Sequence, residues 1–528
     1  VIGSASIRGL AFLLALGLTG AGAASAESIL RRGHHNEPAS LDPAETDGIE
    51  EISIESDLFE GLVRIDPQGR MVPGVAASWD IAPDGLTWTF HLRPHLEWSD
   101  GSPLTAADFV WTLRHALAPK TASPYAAILY PVTGARDFNE GRSKDPGKIG
   151  VTAPDPDTVR IALDQPTPYL DGIMALQVAF PLKASVVEAN GTQWTRPGTL
   201  VGNGAFTLEA WTPNQDIVLK KNPHYYDAGA VALDGVRWLT IEEDQTSLRR
   251  YLAGEVDIAR VPPKQVPRIR TQLGDQLHTD TVLRTTFLVL NASRPPFDDV
   301  RIRQALALSV DRPLLAEKVN PHGQKPAEGF IPPGIAGYTR PAPDWLDQSM
   351  AERTKRAATL LAEAGIGPDH PLKVSILYPT DDSDRLTLGA IAEMWKPLGV
   401  IATLDNQENR VVNGALRNHQ FEMGFTEWIA DYPDPSNFLA TFDGRAGGLN
   451  SGDWRNGAFD ALLDKAGQTT DPAARMAILA QAEALLNREA PLITIAYETT
   501  PWLVSPKVRG YTANPLDEVV SRNLSLVP

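Results

Sequence analysis

The one long apolar stretch of this chain runs from Leu10 to Gly20, behind a single Arg8 and ahead of the small residues Ala24-Ser25-Ala26. A short apolar core between a positive charge and an Ala-x-Ala ending is the pattern of a secretory signal peptide, so residues 1–26 are expected to be cleaved off after Ala26. A buried N-terminal helix would explain the apolar core but neither flank. No later segment approaches the ~20 apolar residues that a membrane helix requires. Everything beyond Ala26 must therefore bury its apolar side chains against itself. With 43% hydrophobic and 21% charged residues among 528, it has material for several domains.

The chain contains no cysteine, which excludes disulfides, thiolate metal sites, a Cys nucleophile and a lipid-bearing N-terminal Cys. Without that lipid tether, an exported product is expected to be periplasmic. Lys plus Arg number 48 against 65 Asp plus Glu, a net charge of -17 with no block of like charges, so nucleic acid is excluded as a partner.

Short strand and helix patterns follow one another without an internal repeat. Trp88-Thr89-Phe90-His91-Leu92 alternates as a half-buried strand does, and Leu492 to Tyr497 reads as a more fully buried one. Ser349 and Glu352 have capping-box spacing, with Ala357, Leu360, Leu361 and Ala364 on one face and Gly365 placed to end the helix. Asp471-Pro472 opens a second helix, striped by Met476, Leu479, Ala482 and Leu486. This mixture predicts a multi-domain α/β protein. Pro/Gly-rich stretches at Thr195 to Gly204 and Pro326 to Pro343 are domain joints or long loops.

Catalytic motifs are missing: there is no Gly-x-Ser-x-Gly, P-loop, His-Glu-x-x-His or dinucleotide fingerprint. His34-His35 beside Glu37 is the strongest metal suggestion, but adjacent strand residues point to opposite faces, which favours a solvated or hydrogen-bonded pair. The acid pairs Glu50-Glu51, Glu242-Glu243 and Asp381-Asp382 read as surface carboxylates. No cofactor and no metal are expected.

Further order lies in a series of short stretches. Leu41-Asp42-Pro43, Asp57-Leu58-Phe59-Glu60-Gly61-Leu62, Pro73-Gly74-Val75-Ala76, Trp88-Thr89-Phe90-His91-Leu92-Arg93 and Trp98-Ser99-Asp100-Gly101 come in sequence. Gly202-Asn203-Gly204-Ala205-Phe206, Asn222-Pro223-His224-Tyr225-Tyr226-Asp227 and Val300-Arg301-Ile302-Arg303-Gln304-Ala305 continue it. In order and spacing the chain resembles the peptide/nickel class of solute-binding proteins that serve ABC importers. Thr121-Ala122-Ser123-Pro124-Tyr125 and Tyr511 to Asp517 resemble its oligopeptide-binding branch.

The resemblance implies an α/β, three-domain periplasmic-binding-protein clamshell with mixed sheets and a hinge between two ligand-enclosing domains. Transferred here, domain I spans about residues 27–49, 181–283 and 499–528, domain II about 50–180, and domain III about 284–498. The implied function is capture of short peptides in the periplasm by hinge closure, and delivery to the transmembrane permease subunits of an ABC importer. A monomer and no enzymatic activity are expected.

In such relatives the acid of an Ala-Asp-Tyr run pairs with the ligand's terminal ammonium, which by position gives that role to Asp431 in Glu427-Trp428-Ile429-Ala430-Asp431-Tyr432-Pro433-Asp434-Pro435. A carboxylate in a dry cleft makes a strong charge-assisted bond to an ammonium; the alternative is that Asp431 caps the local turn. Trp428 can wall a side-chain pocket or, alternatively, belong to the core, and the backbone of the segment around Ala430 can pair with an extended peptide as an added strand does. Glu37, Pro38 and Ala39 match the stretch along the ligand, and Tyr125 matches a cleft tyrosine. Phe425 stands at the position of a carboxylate-binding Arg, Asn409 at that of a cleft Trp, and Asp384 near that of a cleft His. Arg284 and Ile429 take the places of two half-cystines. Arg284 or Arg410 is then the candidate receptor for a ligand carboxylate, since a guanidinium offers it two parallel bonds. Other readings are a different solute (murein peptide, opine-like conjugate, oligosaccharide or nickel chelate), a hydrolase, for which no nucleophile and base can be assembled, or a holdase, which would need an exposed apolar surface.

Overall fold

The computed structural model describes residues 27–321 and 323–527, and all but the side chain of Asp382 within the helix that follows Asp381. The expected signal peptide lies outside the described residues. Three sheets organise the rest. A seven-stranded mixed sheet has the order Leu277–His278, Trp502–Val504, Ile258–Arg260, Ile29–His34, Gly235–Thr240, Asp216–Lys221, Phe206–Thr212, with Ile29–His34 parallel to both its neighbours. A four-stranded antiparallel sheet comprises Ala76–Ile81, Thr87–Leu92, Thr158–Ala162 and Val151–Asp155. The third sheet, of six strands, runs Lys325–Pro326, Leu492–Thr499, Thr281–Leu290, Met423–Ile429, Leu372–Pro379, Val400–Gln407.

Side-chain patterning explains these elements. Thr87–Leu92 turns Trp88, Phe90 and Leu92 inward and their neighbours outward. Thr281–Leu290 is a central strand covered on both faces, so Leu288 and Leu290 enter one core with Ile376 and Trp395, while Phe287 and Val289 enter another with Phe330 and Phe438. Ser349 and Glu352 form the expected capping box on Met350–Glu363, and Gly365 follows with φ +79. Asp471 caps Pro472–Glu489 by accepting from Ala474 N at 2.7 Å; Leu479, Ala482 and Leu486 are buried, joined by Ile478.

Both Pro/Gly-rich stretches are loops packed on core. Asn203 brackets Glu60, donating to its carbonyl at 2.8 Å and accepting from its N–H at 3.0 Å. A Cβ at Gly204 would sit 2.5 Å from the Phe59 nitrogen, so only glycine permits this approach. Phe330, in the second loop, meets Phe287, Phe438 and Phe442 edge to face at centroid distances of 5.1, 5.4 and 5.3 Å. Two chain segments pass directly between the six- and seven-stranded sheets: Leu277–His278 leads into Thr281–Leu290, and Leu492–Thr499 into Trp502–Val504. Among the described residues, no helix is long and apolar enough to cross a membrane.

Candidate functional site

Along Met423–Ile429 burial fades. Met423, Gly424 and Phe425 are buried, Thr426 and Trp428 half-buried, Glu427 and Ile429 exposed. One edge of this strand pairs throughout with Thr281–Leu290, from Leu290↔Met423 to Arg284↔Ile429. The other edge pairs with Leu372–Pro379 only at Met423 and Gly424. From Phe425 to Ile429 that edge therefore has no strand partner among the described residues, and it faces open space. A cavity of about 740 Å³ lies here, walled by Arg284, Asp384, Phe425, Glu427, Trp428 and Glu498. A second, of about 510 Å³, shares Thr426, Glu427 and Trp428 and adds Phe287, Leu416 and Phe442. Trp428 thus partitions two spaces, and its indole N–H donates to Asn437 Oδ1 at 2.9 Å.

Asp431 sits just past the strand. Its Oδ1 accepts from the Tyr125 hydroxyl at 3.1 Å and its Oδ2 from Asn437 Nδ2 at 3.1 Å, so two residues 306 apart in sequence meet. Burial raises its pKa above the usual carboxylate range, against the pull of the Asn437 and Tyr125 bonds. The local cap is Asp434: it accepts from Ser436 N at 2.9 Å and carries the buried pair to Arg475 at 2.6 and 2.8 Å. The backbone N–H of Ala430 is already used, donating to Leu283 O at 2.9 Å.

The remaining sequence candidates scatter. Glu37 turns into the seven-stranded sheet, where its carboxylate accepts from Trp211 Nε1 at 2.8 Å, Asn214 N at 3.0 Å and Thr240 Oγ1 at 3.1 Å. Pro38 is buried and Ala39 exposed, and none of the three lines either cavity. Arg284 lines the larger cavity but gives its guanidinium to Glu427 Oε2, at 2.8 Å from Nε and 2.5 Å from Nη2. Arg410 is exposed on the helix Asn409–Arg417, which sends Asn409 and Asn413 to the cavity instead. Phe425 is 6% exposed and forms part of the cavity floor.

Two participants escaped the sequence reading. Asn437 joins Trp428 to Asp431. Glu498, near the end of the strand Leu492–Thr499, lines the cavity with Arg284 and accepts from Thr286 Oγ1 at 2.6 Å. Asp384, which the resemblance put near a cleft His position, lines the larger cavity and is pushed up to about 7 by burial and by Asp381, Glu427 and Glu498. Asp381 itself caps the helix Asp382–Trp395, accepting from Ser383 N and Asp384 N at 2.7 and 3.0 Å. His34 is buried, its ring against Asn36 O and Thr240 Oγ1, while His35 approaches Asp244 at 3.9 Å.

A family model described as bacterial extracellular solute-binding proteins, family 5, middle region, matches residues 70–450. The chain is 36% identical to the periplasmic oligopeptide-binding protein OppA of Escherichia coli K12 over 504 residues, 94% of this chain and 92% of that one. It is 38% identical to the probable deoxycholate-binding periplasmic protein YgiS of the same organism, over 94% of this chain and 93% of that protein. The solved unliganded open form of the periplasmic murein tripeptide-binding protein MppA superposes with a TM-score of 0.86 at 36% identity, covering 96% of this chain and 98% of that one. With the family model and full-length likeness in agreement, the chain belongs to the family 5 bacterial extracellular solute-binding proteins.

Proposed function

We propose that this protein captures short peptides in the periplasm and hands them to the permease of an ABC importer, without altering them. The observation that carries the reading is the unpaired edge from Phe425 to Ile429, which ends beside the desolvated carboxylate of Asp431. An extended peptide adds to such an edge by main-chain bonds, and a buried carboxylate fixes its terminal ammonium. Asp431, Tyr125 and Trp428 are the residues assigned to the ligand; Ala430 serves by holding the segment against Leu283. Arg284, engaged by Glu427, is not assigned to a ligand carboxylate.

The domain limits expected above are retained as part of this proposal. They are supported by strands 29–34, 206–240, 258–278 and 502–504 sharing one sheet, strands 76–162 a second, and strands 281–499 a third. Closure would bend the two short links between the seven- and six-stranded sheets.

A mixed peptide pool is expected to raise the melting temperature, because ligand binds the native state preferentially. Unchanged peptides recovered by mass spectrometry complete the test. Stabilisation by deoxycholate or by a sugar, with every peptide pool inert, would overturn the reading.

Charge selection is a second expected result. Asp381, Asp384, Glu427 and Glu498 line the larger cavity against the single guanidinium of Arg284. Tripeptides with Lys at the second or third position should bind about tenfold or more tighter than their Glu counterparts, a difference of ~1.4 kcal/mol. As Asp384 is raised to about 7 and faces Asp381, Glu427, Glu498 and Arg284, the gap should widen from pH 6 to pH 8, where its proton is lost. Equal affinities at both pH values would show that the ligand side chains point elsewhere.

A further inference from the structure

Against Tyr432, Pro433 and Asp434 lies a separate cavity of about 360 Å³, which Asp431 does not line. Its walls come from two lobes. Met71, Ile81, Trp88 and Pro166 belong to the region of the four-stranded sheet, and Tyr432 and Met476 to that of the six-stranded sheet. The lobes touch at its border, where Tyr169 stacks on Tyr432 at a centroid distance of 5.1 Å and an interplanar angle of 5°. An apolar cavity of about 150 Å³ already accepts benzene, so this one has room for a bicyclic molecule.

Two buried donors on its walls have no hydrogen-bond partner among the described residues: the indole N–H of Trp88, a residue 2% exposed, and Nε–H of Arg475, a residue 4% exposed. Orphaned buried donors are costly and uncommon, and a ligand acceptor would satisfy them. The charges argue for a neutral guest. Arg475 is neutralised by Asp434 and Arg70 by Asp66, which leaves Asp171, whose carboxylate accepts from Gly172 N at 2.8 Å and has no cationic side chain bonded to it among the described residues. An anion would meet the Asp171 carboxylate, and a cation would leave both donors unpaired.

We infer that this interlobe cavity is a second ligand site, for an uncharged, largely apolar small molecule carrying a carbonyl oxygen that accepts from Trp88 Nε1. Because both lobes build its walls, occupancy is linked to the lobe arrangement in which Tyr169 stacks on Tyr432.

The test uses the full mature chain with ¹⁵N-labelled tryptophan and 2-acetylnaphthalene as probe. Trp88→Phe identifies the Trp88 indole signal among those of the 12 tryptophans. That signal is expected to shift saturably with the probe. 2-Ethylnaphthalene, equal in shape but lacking the acceptor, should bind about tenfold more weakly, and 2-naphthoate should not compete. Met476→Trp, which fills the cavity from its half-buried rim, should abolish the shift; where Trp88→Phe does not fold, Trp88→Tyr assigns the Trp88 signal in its place. An unmoved Trp88 signal at saturation, equal affinity for the ethyl compound, or binding unaffected by Met476→Trp overturns the proposal.

Discussion

Asp431→Asn is expected to weaken binding of a free-amine tripeptide about 30-fold or more. Removing one partner of a desolvated charge pair costs ~2 to 5 kcal/mol, at ~1.4 kcal/mol per decade of affinity. The substitution keeps the side chain's shape and leaves Tyr125 and Asn437 near enough to bond it, so what is lost is the charge. An N-acetylated tripeptide should bind the native protein poorly and lose little more in the variant, because the ammonium is already gone. Titration calorimetry on both proteins with both peptides gives the four affinities that decide this; equal losses for free and acetylated peptide would remove Asp431 from the site. The sign of the pH dependence is also fixed. Burial raises the folded-state pKa of Asp431, so its contribution to stability in the free protein is greatest below the unfolded carboxylate value and is lost as pH rises through the folded one. A bound ammonium favours the ionised form. The peptide-induced rise in melting temperature should therefore grow as pH climbs through the same range.

What the sequence disclosed of this fold was mostly its architecture, for a physical reason. The recurrent stretches that suggested the family are largely groups buried where only one residue type fits. Glu60 receives the hydroxyls of Tyr225 and Tyr226 at 2.7 Å each and is bracketed by Asn203, so three distant stretches depend on one another. Helix caps at Ser349 and Asp471 were legible because capping is local. The cavity was not legible in this way. Asp384, Glu427 and Glu498 come from three separate stretches, and nothing in the spacing of 384, 427 and 498 shows that they share a wall with Arg284. Likewise Glu37 has the right neighbours in sequence, but Trp211 and Thr240 draw its carboxylate into the sheet. The acids at Asp431 and Asp434 illustrate the limit most sharply. From sequence either one suits the turn, whereas in the fold one faces Tyr125 and the other Arg475.

That division of labour gives the largest expected effect on stability. Asp434 is 8% exposed and Arg475 4%, and the carboxylate bonds both terminal guanidinium nitrogens while capping the turn through Ser436 N and, at 2.6 Å, Ser436 Oγ. Asp434→Ala leaves the guanidinium buried without a counter-charge, and breaking a buried pair from one side costs ~3 to 5 kcal/mol. Arg475→Met should cost about as much, for the converse reason. The double variant Asp434→Ala with Arg475→Met carries neither charge and should recover a large part of the loss, because a buried ion pair exchanged for apolar groups is often close to neutral. Urea unfolding of the four proteins at pH 7 reads these differences. A free-amine peptide should meanwhile bind Asp434→Ala, under conditions where it remains folded, far better than it binds Asp431→Asn, since the ammonium is assigned to Asp431 alone. Additive losses in the double variant would show that Asp434 and Arg475 stabilise the lobe separately, and a loss of peptide affinity matching that of Asp431→Asn would place Asp434 in the ligand site.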